Sequence, residues 1–287
     1  MDSIFLGGAA LGLEFQPDWW QVMTSSFMRN AIIGGTLVAL AAGVIGYFVI
    51  VRSTAFAAHA LAHIGLPGAT GAVLLGLPVT LGLAVFCVGG AVVIGALGRR
   101  AGDREVATGT VLTFSTGLGL YFSSQATRSS STMTNVLFGN LLAISPQQLI
   151  TFAAFLIGVV AVVSFVHRPL LFASVDEQVA RSRGVPVRML SVLFMVLLGL
   201  VVTMSVQVVG MLLLFALVVT PAATAIMLTP RPWLAIGISL ALNLVSVWAG
   251  LLLATVFSLP PSFCIVTIAC AVWLVVRFSP RARSVVL

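Results

Sequence analysis

Apolar residues come in blocks of roughly twenty along the chain, long enough for a helix to cross a hydrocarbon core of about 30 Å. Inside the blocks polarity does not alternate with a period of two, so they are not strands of a membrane barrel. Lipid offers the backbone no partners, and a helix satisfies its N–H and C=O groups within one segment. The pattern predicts crossings at 30–50, 54–76, 79–97, 106–123, 146–166, 233–257 and 263–276, and two more within 187–228. That makes nine membrane helices, or eight if one block is re-entrant. The predicted fold is an all-α polytopic membrane protein. A tail and interfacial helix occupy 1–27, the membrane domain 28–278 and a second tail 279–287.

The interruptions add detail. Pro17-Asp18-Trp19-Trp20 starts a short helix, and tryptophans suit the membrane interface. The polar stretch 124–145 reads as an exposed loop with a short helix. In the loop from His167 to Pro186, Ser174 and Glu177 have the spacing of a capping box. Gly184 supplies a glycine just past the helix end, and Pro186 forbids continuation. Between them lies a helix of about nine residues carrying Asp176, Glu177, Arg181 and Arg183, too short and too polar to span. Within 187–228, Gln207 and Gly210 mark the turn, and Thr220-Pro221-Ala222-Ala223-Thr224 interrupts the second crossing. Interrupted helices line pathways in transporters. Gln207, Thr220, Pro221 and Thr224 are therefore candidate pathway residues, with a packing kink as the other reading.

Composition agrees with the pattern. Of 287 residues, 60% are hydrophobic and 7% charged, against about 25% charged in a soluble domain. The net charge of +7 does not point to nucleic acid, because the arginines cluster at the ends of apolar blocks. Arg99, Arg100 and Arg104 share one loop, Arg168, Arg181, Arg183 and Arg188 another, and Arg277, Arg281 and Arg283 close the chain. Paired crossings put these clusters and Arg231 on one side, expected to be cytoplasmic; Arg29 fits less well. All fourteen basic residues are arginine, so no G-x-x-x-x-G-K-[ST] phosphate loop exists and any ATP is bound by another chain. Cys87, Cys264 and Cys270 form neither a disulfide framework nor a thiolate site. No basic leader precedes the first apolar block, so no cleaved signal peptide is expected.

The charge census narrows the chemistry. All seven carboxylates lie in the N-terminal tail or in two arginine-rich loops, whereas ion-coupled carriers usually hold acidic groups in the membrane. Only His59 and His63 are ionisable and expected at membrane depth. Four apart on a helix, they share one face and can reach one metal ion. Ala60 stands where H-E-x-x-H proteases have glutamate, so that chemistry is removed. Gly65, Pro67 and Gly68 follow, and are expected to break or bend the helix beside the pair. Two readings stay open on the residues alone: imidazoles satisfied by backbone carbonyls, or a weak metal contact of the kind a permeation path needs.

His59-Ala60-Leu61-Ala62-His63-Ile64-Gly65-Leu66-Pro67-Gly68 resembles the D-x-x-x-H-x-x-L-P-G signature of the membrane subunits of zinc and manganese ABC importers, the ABC-3 family. Asn135–Ser145, Ser174–Pro186 and Gln207–Thr224 are similar to further family segments in the same order. The resemblance implies a type II importer-like permease over about 28–278, with a coupling helix over 172–186. It implies a second permease subunit, expected to be identical, cytoplasmic ATPase subunits and an extracytoplasmic metal-binding protein, all at the plasma membrane of a bacterium. No permanent cofactor is implied; Zn²⁺ or Mn²⁺ is the cargo. His63 takes the place of the pathway histidine, while His59 stands where the family has aspartate. Loss of that carboxylate tilts the expectation slightly to zinc, since carboxylate suits Mn²⁺ and imidazole later metals. A metal-chelate permease and a self-contained metal channel or carrier are the alternatives.

Overall fold

The computed structural model describes residues 17, 19–97, 101–125, 129–211 and 213–279. Arg99, Arg100, Arg281 and Arg283 of the predicted clusters, and all of residues 1–16 and 280–287, lie outside the described residues.

The described residues form helices α1 (Trp19–Thr24), α2 (Ser26–Val51), α3 (Ala55–Leu74), α4 (Val79–Leu97), α5 (Ala101–Gln125) and α6 (Ser129–Phe138). A 3₁₀ turn at Leu141–Ala143 leads to α7 (Pro146–Val175), α8 (Glu177–Ser182) and α9 (Val187–Val209). Then follow α10 (Leu214–Val218), α11 (Thr220–Leu228), α12 (Pro232–Phe257) and α13 (Pro261–Phe278). Six of these, α2, α4, α7, α9, α12 and α13, are long and apolar enough to cross a membrane.

Helix boundaries follow local chemistry. The capping box sits at Ser145, not Ser174: Gln148 N–H donates to Ser145 Oγ at 3.3 Å, and Ser145 N–H donates to Gln148 Oε1 at 2.9 Å. Helix α7 then runs through Pro169 to Val175, nine residues beyond the predicted end. Pro169 removes one backbone donor, and the rest of the ladder holds. Glycines in the left-handed region end α3 at Gly76 (φ 66°) and α9 at Gly210 (φ 88°), the latter at the predicted turn. The predicted interruption at Thr220–Thr224 is corrected: these residues are helical, and the chain breaks one residue earlier, at Val219 between α10 and α11.

The helices pack in two groups. In one, α3 lies against α4, α5 and α6, and α9 packs on α4; in the other, α2 lies against α7, α11 and α12, with α13 behind. Helix α9 touches members of both. Small residues set the distances: a Cβ on Gly43 would meet the Leu240 backbone at 2.9 Å, and one on Gly46 the Val218 carbonyl at 2.2 Å. Inside α12, Ser239 Oγ and both amide atoms of Asn243 are buried without a hydrogen-bond partner.

The two ends of the bundle differ. At one, Arg52 meets Ser174, and the His167 and Trp233 rings lie 5.0 Å apart. At the other, Asn30 Nδ2 donates to the Ile144 carbonyl, Met211 N–H to the Val136 carbonyl, and Ser262 Oγ to the Phe138 carbonyl. Arg168, Arg188, Arg231 and Arg277 fall with Arg52 at the first end by the helix order; Arg29 falls at the other.

Candidate functional site

Helix α3 carries the histidine pair. His59 and His63 stack one turn apart with ring centroids 4.8 Å apart and planes at 65°. From Ala57 to Thr70 every residue is buried except these two, so the pair forms a narrow open stripe on an otherwise enclosed helix. The stripe continues toward the arginine-rich end through Ala55 and the exposed Phe56. Past His63 the helix is covered on all sides as far as Thr70. Behind the pair, Cys87 Sγ donates to the Leu61 carbonyl at 3.3 Å. Among the described residues no group of three or more His, Cys, Asp or Glu side chains comes together. Among the described residues one subunit offers two imidazoles and no third His, Cys, Asp or Glu ligand beside them.

The expected helix break at Gly65, Pro67 and Gly68 is corrected: α3 is unbroken from Ala55 to Leu74. Pro67 costs the ladder one donor, the amide that would bond the His63 carbonyl. The glycines serve close approach instead. A Cβ on Gly68 would lie 2.2 Å from the Gly82 carbonyl oxygen, and one on Gly82 would lie 2.1 Å from that of Gly68. A Cβ on Gly65 would lie 2.9 Å from Leu83 Cδ2 and 3.0 Å from Cys87 Sγ. The backbones of α3 and α4 cross in direct contact just beyond the histidines.

The short charged helix α8 is six residues long, not nine. Ser174 belongs to α7, where its Oγ donates to the Leu170 carbonyl at 2.6 Å. The N-cap is Asp176, whose Oδ1 accepts from Val179 N–H at 2.9 Å. Glu177 and Arg181 pair at 2.6 Å on the surface, an arrangement worth a few tenths of a kcal/mol. Arg183 caps the far end, and Gly184 turns the chain at φ 79° as expected. Acidic residues at the start and arginines at the end both match the helix dipole. Ala180 is fully buried and anchors the element, while Asp176, Glu177, Arg181 and Arg183 are exposed.

Gln207 lies at the far end of α9, half-buried. Its Oε1 accepts from Thr80 Oγ1 at 2.7 Å and Gln148 Nε2 at 3.1 Å, and its Nε2 donates to the Thr203 carbonyl at 3.0 Å. The amide thereby ties α9 to the starts of α4 and α7. A cavity of about 200 Å³ beside it is lined by Asn135, Asn140, Gln148 and Gln207 among others. Thr220, Pro221 and Thr224 sit elsewhere, in the group of α2, α12 and α13; Pro221 and Thr224 are buried, and Thr224 Oγ1 donates to the Thr220 carbonyl at 2.8 Å. The structure therefore does not gather the four candidate pathway residues into one site.

Two residues escaped the sequence reading. Gln148 was legible as the last position of S-x-x-Q at Ser145. Arg52 was not, because its partners Ser174 and Phe194 are more than a hundred residues away.

The chain was compared with known proteins. The model of the ABC 3 transport family matches residues 24–279. The manganese transport system membrane protein MntC of Halalkalibacterium halodurans is 30% identical over 263 residues, 91% of this chain and 90% of that one. The manganese import system permease protein ScaB of Streptococcus parasanguinis is 29% identical, covering 90% and 92%. Among solved structures, PsaBC from Streptococcus pneumoniae in complex with Fab superposes with a TM-score of 0.82 at 29% identity, covering 93% of this chain and 97% of that chain.

Proposed function

The chain belongs to the ABC 3 transport family, and on that premise we propose that it is the membrane-spanning permease subunit of an ATP-driven importer of divalent transition-metal ions. The observation that carries the proposal is the open His59–His63 stripe within the otherwise buried run from Ala57 to Thr70. Two imidazoles hold a metal weakly. Two copies of the chain about a two-fold axis along that stripe would present four, a complete set for one ion at the interface. Neutral imidazoles without a carboxylate bind transiently, as a conducting site must.

In this reading α3, α5 and the interrupted α10–α11 join the six long apolar helices to make nine crossings. The arginine-rich end faces the cytoplasm of a bacterium. There α8, with its exposed Asp176, Glu177, Arg181 and Arg183, docks on a separate ATPase subunit, which this lysine-free chain requires. An extracytoplasmic binding protein delivers the ion to the opposite end. The manganese named in two relatives makes Mn²⁺ the first cargo to test, and Zn²⁺ the second on the strength of the imidazoles.

The test uses the assembled importer in proteoliposomes with its ATPase and binding protein. A His59→Ala/His63→Ala double variant is expected to assemble normally and lose metal uptake. Uptake at the wild-type rate would refute the assignment of the pair.

A further inference from the structure

Arg52 occupies the turn between α2 and α3, seven residues before His59. The turn caps α2, with Arg52 N–H donating to the Phe48 carbonyl at 2.9 Å and Ser53 N–H to the Ile50 carbonyl at 3.0 Å. Ser53 follows in the left-handed region at φ 52°, a conformation a non-glycine residue adopts only when its surroundings impose it. Thr54 N–H and Oγ1 both donate to the Val49 carbonyl, at 2.9 and 3.2 Å. The turn is thus short, heavily bonded and stiff, and a displacement of Arg52 is passed to the first residue of α3.

The side chain reaches α7 and α9, among other contacts. Arg52 Nη1 donates to Ser174 Oγ at 3.2 Å, and its Cζ lies 5.3 Å from the centre of the Phe194 ring in α9. Ser174 can accept because its own hydrogen is engaged with the Leu170 carbonyl. Two residues later Asp176 caps α8. The contacts form an unbroken line: α8, its cap, Ser174, the guanidinium, the stiff turn, α3 and the histidines. A planar guanidinium is the group that can lie on a phenyl face and donate sideways at once.

We propose that Arg52 is the positioning residue that couples movement of the charged helix α8 to the histidine-bearing helix α3. The inference rests on the docking and pathway roles proposed above for α8 and α3, and adds the mechanical connection between them. When α8 shifts on its partner, the end of α7 shifts with it. The Ser174–Arg52 bond and the Phe194 stack then carry that shift to the turn, and α3 follows against its glycine contact with α4.

The test measures ATP hydrolysed per metal ion imported, in proteoliposomes with the ATPase and binding protein, using manganese as the probe. Arg52→Lys keeps the charge and loses the stacked fork; Ser174→Ala removes the acceptor and leaves α7 otherwise intact. Each is expected to raise the ratio about tenfold, within the range of ordinary coupling between sites. The double variant is expected to match the worse single one, since both break one connection. A wild-type ratio in either single variant, uptake and hydrolysis falling in equal proportion, or additive effects in the double variant would each overturn the proposal. Failure of the wild-type assembly to couple hydrolysis to uptake would instead remove the functional reading beneath it.

Discussion

Gly68→Ala adds one methyl where α3 and α4 cross backbone to backbone. The new Cβ would stand 2.2 Å from the Gly82 carbonyl oxygen and 2.7 Å from its carbon. Neither neighbour is a side chain that can turn away. Real Cβ contacts are not found below 3.0 Å, so the helices must part from 2.2 to at least 3.0 Å, by about 0.8 Å. Overpacking a core costs about 1–3 kcal/mol, and with backbone on both sides the upper end, about 3 kcal/mol, applies. At about 2–4 °C per kcal/mol for a chain of this size, the apparent melting temperature drops by roughly 6–12 °C. Pro67→Ala is the control. It loses two ring carbons at about 0.8 kcal/mol each and restores a helix bond worth about 1 kcal/mol, so its net effect stays below about 1 kcal/mol. Both variants are to be melted in the same detergent, followed by tryptophan fluorescence. Equal damage from the two would mean that the segment acts as a break, and the packing account would fail. A Gly68→Ala protein melting with the wild type would refute the contact itself.

His59→Asp restores the family's carboxylate and is expected to shift uptake toward manganese relative to zinc; paired uptake assays with each labelled ion check it, and an unchanged ratio contradicts it. Asp176→Ala removes the N-cap of α8 at a cost of about 1 kcal/mol, so hydrogen exchange is expected to quicken at α8 amides and not in α9; equal protection before and after would remove the cap's role. Asn243→Leu replaces a buried amide with no partner, which is expected to raise the melting temperature by the equivalent of about 1–3 kcal/mol, and a fall would show that the amide is paired after all.

Much of the fold was legible because membrane helices announce themselves by length and polarity. The turn at Gly210 and the stop at Gly184 were also legible, since both need a positive φ. Gly65 and Gly68 misled for the same reason that these did not. Glycine marks either a backbone bend or a close neighbour, and the sequence alone does not say which. Proline misled at Pro67, where a helix supported by its neighbours absorbs the loss of one donor, as α7 also does at Pro169. The misplaced capping box came from a competing acid: Asp176 lies two residues past Ser174 and takes the cap itself. The histidine pair was visible as a spacing, and only packing revealed that its stripe is open on a covered helix. Arg52 has the place of any boundary arginine in the sequence, and only its distant partners Ser174 and Phe194 set it apart.

The division of the helices into two groups has a consequence for biogenesis. Helix α2 and helix α3 are consecutive in the chain yet settle mainly with different companions. The group around α3 lacks α9 until its last residue, Val209, is made 135 residues after Leu74. At about 5–20 residues per second, the histidine helix waits roughly 7–27 s with its α9-facing contacts unmade. During that interval the insertion machinery, not the finished protein, must shelter a helix whose open stripe carries two imidazoles.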